Sequence, residues 1–228
     1  MSLIAQNLEV VKKRIIEAAQ RTGRDPAQVR LVAVSKMVDA DRVRQAVAAG
    51  HRLFGENYVQ EARAKMAALG PGLTWHLVGS LQTKKAGAAV ELFDLIHAVD
   101  RLKLARALDQ AAARAGKVQE VLIQVNLAGE ETKSGVAPGE APELLRELAR
   151  LPHLKVAGLM TMPPWLPPEE VRPYFRALRE LRDRLRLELG LPLAELSMGM
   201  SGDYEVAVEE GATLVRVGTA IFGERPGA

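Results

Sequence analysis

Short apolar runs alternate with longer amphipathic segments along almost the whole chain. After an opening stretch in which Ile4, Leu8, Val11 and Ile15 recur at helical spacing, eight apolar runs follow. These runs are Arg30–Lys36, Leu53–Asn57, Trp75–Gly79, Leu95–Val99, Val121–Asn126, Val156–Met160, Glu195–Gly199 and Leu214–Gly218. Runs of this length are typical of buried strands, and the longer segments between them are typical of helices. The pattern therefore predicts strands that pair in parallel through helical crossovers.

Eight strand and helix units in 228 residues predict an α/β fold, a single (β/α)8 TIM-type barrel with an extra N-terminal helix. Asp39 or Asp41 can cap a helix that stops at Gly50, which agrees with this pattern. A doubly wound open sheet is the alternative, because strands are easily miscounted in one sequence. The proline-rich stretch Met162–Pro168 is interpreted as a stiff loop after a strand. One domain is therefore expected over residues 1–228.

Composition narrows the class of protein. Hydrophobic residues make up 48% and charged residues 26%, as in ordinary globular proteins. Charged residues interrupt the first twenty residues. We therefore expect a cytoplasmic protein without a membrane partner. The absence of cysteine excludes disulfides and thiolate sites, and the four histidines are scattered, so no metal is expected. The net charge of +3 gives little support to nucleic-acid binding, and we expect none.

Lys36 is the first candidate for chemistry, because active sites of barrels form at the C-terminal ends of the strands. It follows Val32 and Val34 at a spacing of two, so the three side chains are expected on one face of the strand. An amine in a partly dry site loses its charge more easily and can attack an aldehyde to form a Schiff base. A solvated lysine just past a strand end is the other interpretation.

A phosphate site is predicted at the ends of the last two strands, where barrels frequently place one. Ser201-Gly202 and Gly218-Thr219 each combine a hydroxyl with a glycine, which provides donors and a backbone that an anion can approach closely. A helical pattern begins at Asp203, which we interpret as an N-cap rather than a catalytic acid. The glycines are equally compatible with ordinary tight turns.

Arg216 interrupts the apolar eighth run two residues before Gly218, so both lie on the same face. A guanidinium inside a barrel mouth needs a partner, since an unpaired buried charge is costly. That partner is either an acidic side chain or a ring nitrogen of a heteroaromatic ligand. Five further residues complete the predicted rim, with His76 interpreted as a packed histidine: Asn57, Ser80, Asn126, Met200 and His76.

Seven ordered motifs carry a resemblance that covers nearly the whole chain. They are Ala33–Lys36, Phe54–Glu61, Trp75–Gln82, Gln124–Asn126, Gly158–Met160, Leu196–Ser201 and Val215–Gly223. Together they resemble the pyridoxal phosphate homeostasis protein family, related in fold to the N-terminal barrel of alanine racemase. One departure is Lys84, which stands before Lys85 where the family usually shows asparagine.

The resemblance implies pyridoxal 5′-phosphate as the cofactor, bound as a Schiff base on Lys36. It places Ser201, Gly218 and Thr219 at the phosphate and Arg216 near the ring nitrogen. Asn57 and Met200 are expected to contribute to cofactor binding at the rim.

Three hypotheses follow for the function. The first is a monomeric carrier that holds the cofactor reversibly without catalysis and releases it to apoenzymes that require it or to a cellular pool. The second is an amino-acid racemase or decarboxylase, although a racemase needs a second acid or base opposite the lysine and the chain offers only Tyr58, Tyr174 and Tyr204. The third is a barrel in which Lys36 pairs with a sugar phosphate.

Overall fold

The computed structural model describes residues 1–130 and 133–224. Residues 225–228, the end of the predicted domain, lie outside the described residues. Within the described ranges each strand pairs in parallel with the next one, and the eighth strand pairs with the first to close a barrel. The predicted (β/α)8 barrel is confirmed. The doubly wound alternative is excluded, because an open sheet leaves two unpaired edges.

The predicted order of strands and helices is confirmed over the described ranges. The strands are β1 Arg30–Val34, β2 Leu53–Glu56, β3 Thr74–Leu77, β4 Leu95–Val99, β5 Gln119–Gln124, β6 Leu154–Met160, β7 Glu195–Ser197 and β8 Leu214–Val217. The helices are α1 Leu3–Arg21, α2 Ala40–Ala48, α3 Val59–Leu69, α4 Ala86–Leu92, α5 Leu102–Arg114, α6 Ala141–Leu148, α7 Pro168–Leu189, α8 Tyr204–Glu209 and α9 Thr219–Phe222. Two short 3-10 helices span Pro26–Gln28 and Thr83–Lys85.

Strand side chains alternate between the barrel interior and the surrounding helices. Val32 and Val34 of β1 pack in the interior with Leu214 of β8. Leu31 and Ala33 instead belong to the larger apolar core that includes the helices. The alternation holds to Val34, where β1 ends, and the amide of Ser35 still donates to the Gly55 carbonyl of the neighbouring strand at 3.0 Å.

The predicted N-terminal helix is confirmed as α1. The hydroxyl of Ser2 accepts a hydrogen bond from the amide of Ala5, 3.2 Å away, which caps the first turn. The apolar stripe from Ile4 to Ile15 is buried, and α1 contacts α2, α8 and α9. In the described ranges, the helices are either too short or too polar to cross a bilayer.

Both predicted N-cap residues are confirmed, but their side chains bind different amides. Asp39 caps α2, since its carboxylate accepts from the amide of Arg42 at 2.8 Å. Asp203 is the N-cap residue of α8, but its carboxylate accepts from the amide of Met200 at 2.5 Å rather than from a helix amide. The Asp203 carboxylate therefore stabilises the turn before the helix.

Candidate functional site

Lys36 is the second residue after β1, at the C-terminal end of the barrel. Its side chain is half-buried, and Val34 packs in the interior two residues before it. Met37 has a φ of 59°, in the left-handed region that residues with a side chain rarely adopt. The chain therefore turns sharply just after Lys36, and partial burial fits an amine in a partly dry site.

A buried ionic cluster holds the backbone on both sides of Lys36. This cluster, here called the Lys65 cluster, comprises Ser35, Glu56, Glu61 and Lys65. The Lys65 ammonium donates to the Ser35 carbonyl and, at 2.7 Å each, to Glu56 and Glu61. The Ser35 hydroxyl donates to Glu56 at 2.6 Å. All three donors of the ammonium are thereby used.

The cluster also reaches the turn that follows Lys36. The Glu61 carboxylate accepts from the amide of Met37 at 2.5 Å, so the residues before and after Lys36 are both anchored to α3. Burial raises the pKa of Glu56, while hydrogen bonds from Lys65 and Ser35 act to lower it. The Oε2 atom of Glu56 is buried without a partner within the described residues. Such a clamp can hold a strained turn in place.

Lys65 is not among the predicted site residues, although the sequence carries a signal for it. Val59, Ala62 and Lys65 follow one another at a spacing of three on the buried face of α3. A lysine in the apolar stripe of a helix must find an acidic partner, and Glu61 lies one turn before it. That pattern indicates a buried ion pair but does not reveal that the pair lies behind Lys36.

The predicted phosphate residues come together at the ends of β7 and β8. The Ser201 hydroxyl accepts from the amides of Gly218 and Ala220 at 3.2 and 3.3 Å. Thr219, between those two amides, is exposed. The two amides are already bound to Ser201, so the hydroxyls of Ser201 and Thr219 are the groups that can donate to a phosphate at this corner. The chemistry of this corner therefore fits a phosphate.

Arg216 lies in the barrel interior just below this corner. Its Nη1 donates to the Ser197 hydroxyl at 2.6 Å and its Nη2 donates to the Thr161 carbonyl at 2.9 Å. Among the described residues no carboxylate lies within ion-pair distance of it, so the alternative of a structural ion pair finds no support there. Burial lowers the pKa of Arg216 to about 10, and the charge of Asp203 opposes this shift. A buried cation with only neutral partners is a strong attachment point for a ligand acceptor.

The predicted rim residues divide into two groups. Asn57 and Met200 are half-buried at the ends of β2 and β7. Asn126 donates to the carbonyl of Glu130 at 2.9 Å, which ties its amide to its own loop. Ser80 lies 3.3 Å from Ser134 and is exposed. Asn126 therefore lies beyond the end of β5, with its amide bound within its own loop.

Two other predicted features can be placed. His76 is buried and contacts His97, as expected for a packed histidine. Lys84, the departure from the family pattern, is exposed on the 3-10 helix before α4, and the neighbouring Lys85 donates to Gln60 at 3.1 Å. The described ranges contain no group of three His, Cys, Asp or Glu residues that could hold a metal ion.

Comparison with known proteins places this geometry in a family. The family described as the alanine racemase N-terminal domain matches residues 4–226. The pyridoxal phosphate homeostasis protein of Aquifex aeolicus is 48% identical over 96% of this chain and 97% of its own length. The protein of the same name from Escherichia coli is 42% identical over 99% of this chain and 98% of its own length.

Solved structures give the same result. PipY of Synechococcus elongatus, solved with pyridoxal phosphate bound, is 43% identical, with a TM-score of 0.85 over 96% of this chain and 100% of its own. Alanine racemase from Corynebacterium glutamicum shares the fold at 21% identity and a TM-score of 0.71, and this chain covers 62% of it. The chain therefore belongs to the pyridoxal phosphate homeostasis proteins, within the family of the alanine racemase N-terminal domain.

Proposed function

We propose that this protein binds pyridoxal 5′-phosphate as a Schiff base on Lys36 and takes part in intracellular pyridoxal phosphate homeostasis. The observation that carries the proposal is the match to PipY, solved with the cofactor bound, over the full length of that chain. The name shared by relatives that align over nearly the entire chain supports the homeostasis role.

The residues of the site suit the three parts of the cofactor. Pyridoxal phosphate supplies an aldehyde for a lysine amine and a ring that can accept electrons. In our proposal Lys36 holds the aldehyde carbon, Arg216 faces the ring nitrogen, and the corner of Ser201, Gly218 and Thr219 holds the phosphate. Two rim residues, Asn57 and Met200, line the entrance.

We further propose that the protein is a carrier rather than an enzyme. A permanently charged guanidinium donates to the ring nitrogen and keeps it unprotonated, which weakens the ring as an electron sink. A racemase also needs an acid or base on the far side of the substrate. Tyr204 is buried on α8 and Tyr174 lies half-buried on α7, which leaves Tyr58 as the exposed tyrosine. These positions support binding without turnover.

The proposal includes partners and location. We expect a cytoplasmic monomer that passes the cofactor to apoenzymes or to the free pool. An amino-acid racemase or decarboxylase remains the alternative. Exchange of an amino-acid α-hydrogen with solvent deuterium that depends on Lys36 supports the alternative, whereas binding without exchange supports the carrier.

The experiment for the cofactor assignment is borohydride reduction followed by peptide mapping. Wild type, Lys36→Ala and Lys103→Ala are loaded with pyridoxal phosphate, and absorbance is recorded before and after reduction. Lys103 is an exposed lysine on α5, so it serves as the matched control. We expect wild type and Lys103→Ala to show an imine band that reduction fixes onto residue 36. If wild type binds no cofactor, or reduction labels only other lysines, the assignment is wrong and the phosphate-binding barrel becomes the better account.

A further inference from the structure

Four polar side chains form a continuous row of hydrogen bonds across the inside of the barrel. This row, here called the interior chain, comprises Arg216, Ser197, His97 and His76. Arg216 Nη1 donates to Ser197 Oγ at 2.6 Å, and Ser197 Oγ lies 2.9 Å from His97 Nδ1. His97 Nε2 in turn lies 3.0 Å from His76 Nδ1. All four residues are at most 5% exposed. Polar side chains at such positions replace apolar packing, so their arrangement needs an explanation.

The direction of the hydrogen bonds follows from the chemistry of the first member. A guanidinium has donors but no acceptor, so the Ser197 oxygen must accept from Arg216. Across the described residues, His97 Nδ1 is the one atom placed to accept the Ser197 hydroxyl hydrogen. A neutral imidazole carries one hydrogen, so His97 is protonated on Nε2 and donates to His76 Nδ1. His76 then carries its hydrogen on Nε2.

Electrostatics favours the same direction. Burial lowers the pKa of His76 to about 3 and that of His97 far below its usual value, so both rings are neutral. With the hydrogens on Nε2, each ring turns its bare nitrogen towards the positive charge of Arg216. The reverse arrangement would point N–H groups at that charge. Arg30, the cation near the far end, is paired with Glu195 at 2.7 Å, which offsets its charge.

We propose that Ser197, His97 and His76 are positioning residues, forming a one-way hydrogen-bond chain that holds the guanidinium of Arg216 towards the ring nitrogen of the cofactor. This inference rests on the proposed function, since it assigns a role to residues that do not touch the cofactor. Arg216 is fixed at two points, by Ser197 and by the Thr161 carbonyl. Hydrogen bonds in a chain polarise one another, so His97 and His76 strengthen the acceptor at Ser197.

The first test examines the interior chain in the protein without any cofactor. The four histidines of the sequence are labelled with nitrogen-15, and NMR distinguishes a bare ring nitrogen from a protonated one. We expect His97 and His76 to be neutral and protonated on Nε2 from mildly acidic to mildly basic pH. In Ser197→Ala, His97 should lose its fixed tautomer. A charged His97, or one protonated on Nδ1 in wild type, overturns the proposal.

The second test measures whether the interior chain affects cofactor binding. Pyridoxal phosphate labelled with nitrogen-15 in the ring is bound to wild type, Ser197→Ala and Thr213→Val. Thr213 is the control, because its hydroxyl donates to Glu195 and does not touch the interior chain. We expect Ser197→Ala to bind about tenfold more weakly, the loss of one hydrogen bond to a charged group. Its ring nitrogen should also become protonated at a higher pH than in wild type.

The outcomes separate this inference from the proposed function. Equal affinity and equal ring-nitrogen spectra in Ser197→Ala and Thr213→Val overturn the positioning role, even if Lys36 carries the cofactor. If wild type shows the expected histidine tautomers but binds no pyridoxal phosphate, the interior chain is supported and the proposed function is overturned. A merely structural role of Ser197 would lower stability without moving the ring-nitrogen signal.

Discussion

Replacing Lys65 with methionine removes the cation of the Lys65 cluster while keeping most of its volume. The side chains of Lys65 and Glu56 are only 7% and 0% exposed and lie 2.7 Å apart. The substitution leaves Glu56 buried next to Ser35 with no cation to balance its charge. Removing one partner of a buried ion pair costs about 3–5 kcal/mol of the free energy of unfolding.

That loss can be read from thermal unfolding. For a chain of this size each kcal/mol shifts Tm by about 2–4 °C, so the loss of about 3–5 kcal/mol lowers Tm by roughly 6–20 °C at neutral pH. Burial already raises the pKa of Glu56 above 4.5, and without Lys65 it should rise further. The folded state then holds a proton that the unfolded state has released, so the variant loses stability as pH rises above 4.5. The difference in free energy of unfolding between the variant and wild type should therefore shrink as pH falls towards 4.5.

Two variants control the measurement. Lys155 and Glu120 also lie 2.7 Å apart, but their side chains are 59% and 44% exposed, so Lys155→Met should lower Tm far less than Lys65→Met. The double variant of Lys65→Met with Glu56→Gln removes the unbalanced charge and should regain much of the stability. Equal losses for the Lys65 and Lys155 variants, or a double variant that is no better than the single one, would refute the reasoning.

Two further predictions concern the phosphate corner and the helix layer. Ser201→Ala should weaken binding of pyridoxal phosphate about tenfold but hardly affect pyridoxal, which lacks the phosphate; absorbance titrations compare the two ligands. Burial acts to raise the pKa of Glu210, but hydrogen bonds from Arg176 and Arg172 and the charges of Arg176 and Arg179 outweigh burial and lower the pKa below 4.5. The stability that ionised Glu210 contributes is therefore lost as pH falls below 4.5. Glu210→Gln should show a shallower acid unfolding transition by circular dichroism. An acid transition with the same slope as in wild type would contradict this assignment.

Much of the barrel follows from local patterns. The eight apolar runs predict the strands, and the spacing of two predicts that Lys36 and Arg216 continue interior faces. These features depend on neighbours within a few residues, because side-chain alternation and helix capping are set by local backbone geometry. The N-cap at Asp39 was predictable for the same reason.

Local patterns did not predict which partner a polar side chain takes. Asn126 lies after β5 as expected, and its amide donates to Glu130 in its own loop. Asp203 is the N-cap residue of α8, and its carboxylate accepts from Met200 rather than from a helix amide. In both cases the loop backbone brings a closer partner, and loop geometry is not encoded in the periodicity of the sequence.

The sequence by itself determined the barrel, the order of its strands and the interior face on which Arg216 lies. Only the tertiary structure decided which polar groups meet. Closure of β8 onto β1 places Arg216 beside Val32. Ser197 and His97, which continue the interior chain, are 100 residues apart in the sequence. Hydrogen bonds need atoms within about 3 Å, and that proximity arises only when distant strands are brought together around one core.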